Sequence, residues 1–169
     1  MTQAQVLKAR VKTETPRTGI DSADAKALAS GLSRSLAETY VLYLKTQGFH
    51  WNVVGPLFYG LHKLTEEQYR DLAGAVDELA ERIRALGHPA PASFARFLEL
   101  SAVKELARPL SAEDMVAELV ADHETVASTF RELVEAAEKA RDVATADLLT
   151  ERLHFHEQAA WMLRSIVAR

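Results

Sequence analysis

Residues 57–86 carry two separate stripes on one predicted helix, and few folds can use both. Leu57, Leu61, Leu64, Leu72, Val76, Leu79, Ile83 and Leu86 recur at helical spacing. At about 100° per residue, with His62 set at the origin, these apolar positions centre near roughly 265°. On the same count Glu66 falls at roughly 40°, Asp77 at roughly 60° and Glu81 at roughly 100°. The helix therefore buries one side in its own subunit and lines up an imidazole and three carboxylates on the other. A second imidazole, His50, precedes it across Gly55-Pro56, in the run His50-Trp51-Asn52.

The spacing along the axis is as telling as the angle. His62 and Asp77 lie roughly 22 Å apart on a straight helix, while metal–ligand bonds are about 2 Å. One chain cannot bring them to one ion. The pairs His62/Glu81 and Glu66/Asp77 share a midpoint, however, between Asp71 and Leu72. An antiparallel second copy turned about that point sets His62 against the partner's Glu81, and Glu66 against the partner's Asp77. An isologous dimer would then build two equivalent centres from residues that are useless singly. Mixed imidazole and carboxylate donors suit iron, manganese or zinc rather than calcium or magnesium. A plainly solvated acidic face is the competing reading, and the two histidines weigh against it.

The run KTQGFHWNVVGPLFYGLHKLTEEQYRDLAGAVDELAERIRALG resembles the signature of Dps proteins, small bacterial ferritins named for DNA protection in starved cells. That resemblance extends from about Ala23 to the C-terminus. It implies a ferroxidase centre between two-fold-related subunits, with His50, His62, Glu66, Asp77 and Glu81 as ligands and two Fe per site. Glu66 stands where the best-known members have Asp. Trp51 matches a family tryptophan beside the iron, able to intercept a stray oxidising equivalent. Tyr69, between the acid pairs, is open to a similar role or to simple packing.

The remaining sequence fits an all-α, ferritin-like four-helix bundle with a short extra helix between helices two and three. Hydrophobic residues make up 48% and charged residues 26% of 169, ordinary for one globular domain with a proper core. Asp21-Ser22 can open a first helix to about Phe49, with Leu28, Leu32, Leu36 and Tyr40 on one face. The second helix stops near Gly87-His88-Pro89. Residues 93–100 read as the short helix. Ser111 opens a third, striped by Met115, Leu119, His123, Val126, Phe130 and Val134. Asp142 can cap a fourth, whose stripe reads Leu148, Phe155, Ala159, Met162 and Ile166.

Other polar groups admit plainer explanations. Glu151 and His154 have the Glu-x-x-His spacing of di-iron bundles, but no second such pair exists on another helix. His123 reads as a hydrogen-bonded core residue, and His88 and His156 as structural or exposed. Asp142, Asp147 and Glu151 could cap a helix and complement its dipole. The family resemblance instead implies a three-fold pore through which iron enters.

Residues 1–20 read as a flexible basic tail ahead of a domain spanning 21–169. Lys8, Arg10, Lys12 and Arg17 against Glu14 give this tail a net +3; the whole chain is −4, so the remainder carries −7. The tail is either an inert charged terminus or, as in Dps members that bind DNA, a phosphate-binding arm. No cysteine is present, no apolar leader is visible, and no run approaches a membrane span. The expectation is a cytoplasmic protein, nucleoid-associated if it binds DNA.

The resemblance thus implies a homo-oligomer of twelve subunits that oxidises Fe(II), preferably with hydrogen peroxide, and stores the ferric product. Non-specific DNA binding would accompany this; the alternative is a mini-ferritin without direct DNA binding. A structural DNA compactor would not need the full ligand set. A conventional di-iron protein would need the missing second Glu-x-x-His pair.

Overall fold

The computed structural model describes residues 12–106 and 108–168. Among the described residues five helices follow one another: α1 (Ser22–Asn52), α2 (Phe58–Ala85), α3 (Phe94–Leu100), α4 (Ala112–Lys139) and α5 (Val143–Ile166). The described residues form no strand. The chain makes two long antiparallel hairpins, α1–α2 and α4–α5. Helix α1 joins them by packing on α4, and α3 lies across α1. Helices α2 and α5 meet only sparsely.

Several boundaries have a local cause. The side chains of Ser93, Ser111 and Asp142 accept hydrogen bonds from the backbone N–H of Arg96, Asp114 and Thr145. Asp21 occupies the first cap position without such a bond. Helix α1 runs three residues beyond the expected Phe49 and is ended by extended Val53 and by Gly55 at φ 91°. Gly55, Pro56 and Leu57 form the turn, so α2 begins at Phe58. After α2 the His88 N–H returns to the Ile83 carbonyl at 3.2 Å, with Gly87 at φ 89°, a Schellman closure.

Leu32, Leu42, Leu61, Leu72, Leu79, Leu119, Phe130 and Leu149 are fully buried at the centre. The apolar stripes expected for α1, α2 and α4 are the faces the bundle uses. That of α5 is rotated: its buried side runs through Thr145, Leu149, Arg152, His156, Ala159 and Leu163, while Met162 is exposed. Two buried polar residues, Arg152 and His156, conceal that face from a count of apolar side chains.

The segment before α1 is docked rather than free from Glu14 onward. The Glu14 N–H donates to the Gly87 carbonyl at 2.7 Å, and Ile20 packs on the core. Lys12 and Arg17 are exposed on this segment, whereas Lys8 and Arg10 lie outside the described residues. A Cβ at Gly87 would come 2.4 Å from the Glu14 carbonyl oxygen, at a positive φ that L side chains rarely adopt. Gly87→Ala should cost about 1–2 kcal/mol in backbone conformation and detach the segment. Limited proteolysis would report this as faster cleavage between residues 12 and 20.

Candidate metal half-sites on two helices

The end of α1 and the start of α2 hold the two histidines as a reciprocal clasp. His50 Nδ1 lies 2.8 Å from the His62 carbonyl, and His62 Nδ1 lies 2.8 Å from the His50 carbonyl. A carbonyl only accepts, so both rings carry their proton on Nδ1. In the neutral ring this tautomer leaves Nε2 as the nitrogen with which imidazole ligates a metal. The rings stack at 3.8 Å between centroids. Phe58 stacks on His62 at 5.1 Å, and Tyr69 sets its edge to His50 at 5.2 Å. Neither ring can turn without losing a hydrogen bond and an aromatic neighbour.

Glu66 stands one turn beyond His62 and is held by cations on both sides. Lys63 Nζ reaches Oε2 at 2.9 Å, and an Arg70 nitrogen reaches Oε1 at 2.5 Å. The Lys63 hydrogen bond, aided by Arg70, holds the Glu66 carboxyl below its ordinary range despite some desolvation. These exposed partners can swing aside at little cost, so Glu66 remains available as a ligand.

Asp77 and Glu81 are exposed farther along α2. Among the described residues no three His, Asp or Glu side chains of one chain converge as a metal cage. The structure therefore brings His50 and His62 together, places Glu66 beside them, and leaves Asp77 and Glu81 apart. Trp51 is 62% exposed, at the edge of an apolar groove of about 750 Å³ between α1, α3 and the loop after α3.

The three acids at the start of α5 do not act alike. Asp142 is buried, caps α5 and pairs with Arg82 at 2.6 Å. Burial alone would raise its carboxyl, but hydrogen bonds from Arg82 and Thr145 outweigh this and hold it low. The Arg82 guanidinium thus offsets the Asp142 charge within the subunit. Asp147 and Glu151 are exposed, as is His154.

Two features of the interior were not legible from the sequence as a connected set. His123 and His156 lie buried with Nδ1 atoms 2.9 Å apart. Gln68 is also buried, within the apolar face of α2. Its place at roughly 240° on the helical count, among leucines, was the available signal.

A four-helix bundle of two hairpins with an added short helix defines a ferritin-like domain, and the family model of that description matches residues 29–169. The chain is 39% identical over 99 residues to DNA protection during starvation protein 2 of Bacillus anthracis, covering 59% of this chain and 68% of that one. The crystal structure of Dps from Vibrio cholerae O1 superposes with a TM-score of 0.86 at 31% identity, covering 95% of this chain and 99% of that one. The chain belongs to the Dps family of ferritin-like proteins. A low temperature-induced protein of Nostoc sp. is 41% identical over 114 residues, which span 67% of this chain but 64% of that relative. None of the described helices is long and apolar enough to cross a membrane.

Proposed function

We propose that this chain oxidises Fe(II) at centres shared between two subunits and stores the product in a twelve-chain shell. The observation that carries this reading is the His50–His62 clasp, which holds two imidazoles by their Nδ1 atoms beside Glu66, in a chain whose described residues form no complete metal cage. Asp77 and Glu81 of a second copy would complete each centre. Fe(II) is the substrate, bound by His50, His62 and Glu66 from one chain and by the two acids of the other. Two Fe(II) give two electrons to one hydrogen peroxide, which with two protons leaves two waters and no hydroxyl radical. Trp51 stands next in sequence to His50, where an indole can surrender an electron if the second iron is missing. Asp142, Asp147 and Glu151 would line an entry pore, with Asp147 and Glu151 the two exposed acids of the set.

Anaerobic Fe(II) titration followed by stopped-flow mixing with peroxide or dioxygen tests this reading. Saturation near about two Fe(II) per chain, with a faster peroxide phase, is the expected result. Neutralising the pair Lys63→Ala and Arg70→Ala should tighten Fe(II) binding several-fold, because Glu66 then has no competing cations to leave.

The basic segment supports a second activity, non-specific DNA binding. With residues from Glu14 docked on the body, the reach of such an arm lies upstream, with Lys8, Arg10 and Lys12; Arg17 would contribute from the surface. Twelve weak arms on one shell would add through effective concentration. Log affinity should fall by roughly 0.9 per phosphate neutralised as log salt rises. Deleting residues 2–12 should abolish the mobility shift of plasmid DNA at low salt and leave iron oxidation unchanged. If the full chain gives no shift under those conditions, the protein is a mini-ferritin without direct DNA contact.

A further inference from the structure

The seam between α2 and α5 is sparsely packed and carries buried polar side chains. One end is fixed by an ion pair of Arg82 with Asp142 at 2.6 Å, and the middle by one of Arg152 with Asp71 at 2.5 Å. These two pairs set the antiparallel register, and either one levels Gln68 with residues 155–156. His156 projects from that level of α5 and meets His123 of α4, Nδ1 to Nδ1, at 2.9 Å. Arg152 lies one turn from His156 on the same face of α5.

Four side chains at this level are buried, and each leaves polar atoms without a protein partner. They are both amide atoms of Gln68, Nε2 of His123, Nε2 of His156, and Nε of Arg152. Buried amides and imidazoles rarely stay unpaired, because each loses its hydration in the interior. The chemistry of the set indicates what joins them. In the His123–His156 hydrogen bond one ring donates from Nδ1 and keeps a bare Nε2. The other accepts at Nδ1 and carries its proton on Nε2. The pair thus offers one acceptor and one donor, the Gln68 amide offers both, and Arg152 adds a donor.

We propose that Gln68, His123, Arg152 and His156 enclose an internal hydration site holding at least one long-lived water between α2 and the α4–α5 hairpin. Water supplies two donors and two acceptors, which the mixed set requires. A metal cation would meet an N–H and the Arg152 guanidinium instead of a full ring of lone pairs. An anion would face the bare imidazole nitrogen, with the Arg152 charge already paired to Asp71. One ordered water in a chain of this size is a common occurrence. Its location here adds a solvent link between the helix that bears Glu66, Asp77 and Glu81 and the opposite hairpin, beside the direct Arg82–Asp142 and Arg152–Asp71 pairs. The site is independent of the iron reading and is tested without it.

The test uses the full assembled protein. A crystal structure at high resolution should show a solvent atom within hydrogen-bond distance of the Gln68 amide and of one histidine Nε2. Oxygen-17 relaxation dispersion should count at least one long-lived water per chain, and Gln68→Leu should remove one. Should that variant fail to fold, Gln68→Glu, which keeps length and an acceptor, provides the comparison, and the wild-type density stands alone as a criterion. A direct Gln68–histidine hydrogen bond with no solvent atom overturns the proposal. So does Co(II) added as a probe, if it gives visible d–d bands that survive His50→Ala with His62→Ala but vanish in His123→Leu with His156→Leu, for that marks a metal site.

Discussion

Chains lacking His50 and His62, assembled together with chains lacking Asp77 and Glu81, should regain iron oxidation that neither variant shows alone. Each parent loses one complete half of every centre. The fast phase should fall on the order of 100-fold or more, since even outer-shell changes at metal sites cost 10–100-fold. In a mixed pair, one centre receives both damaged halves, while the other receives an intact histidine half and an intact acid half. Random pairing makes about half the dimers mixed, so about a quarter of all centres should recover. Co-expression followed by stopped-flow oxidation measures this directly. Recovery of nothing, although mixed shells form, would mean that each chain holds its own site and that the two-fold arithmetic is wrong.

The second large effect is on stability below neutral pH. Burial and the nearby Arg152 push His123 down to about 3, and burial, His123 and Arg152 push His156 well below its ordinary value. The sign follows from proton binding. Below about 6.5 the unfolded chain takes up protons on both rings, while the folded chain refuses them until far more acid pH. Folding stability is therefore retained at neutral pH and lost as pH falls, at about 1.4 kcal/mol per pH unit for each histidine. Asp142, held low by Arg82 and Thr145, adds a loss of the same sign at lower pH. Asp122, raised by burial beside Lys45, acts weakly in the opposite sense. Guanidinium midpoints at pH 7, 6 and 5, at fixed protein concentration, should drop steeply for the wild type. Replacing both His123 and His156 by Leu should flatten the profile, and an unchanged slope would show that these rings do not control acid unfolding.

The two effects differ in how far the sequence announces them. Four of the five ligand-type residues lie on one uninterrupted helix, where counting degrees and rises suffices to show that Asp77 and Glu81 stand apart from His62. The closeness of His50 to His62 follows from the short turn at Gly55-Pro56. The clamp on Glu66 was also within reach, because Lys63 and Arg70 lie at helical neighbour spacing. The His123–His156 contact was not, since it joins helices whose mutual rotation only packing decides. The same blindness misassigned the inner face of α5, because Arg152 and His156 do not register in a stripe of apolar residues although both are buried. Docking of the segment at Glu14 depends on one carbonyl, that of Gly87, and backbone atoms carry no sequence signature.

A newly synthesised subunit, on this account, is chemically silent. It offers ferrous iron two imidazoles and one clamped carboxylate, which is too little to hold a pair of ions for oxidation. Reactivity would arrive only when a neighbour docks, and the same event would begin to wall off a compartment for the rust that follows. Under the proposed function timing is written into geometry: a free chain would not scatter insoluble ferric oxide through its surroundings before there is somewhere to keep it.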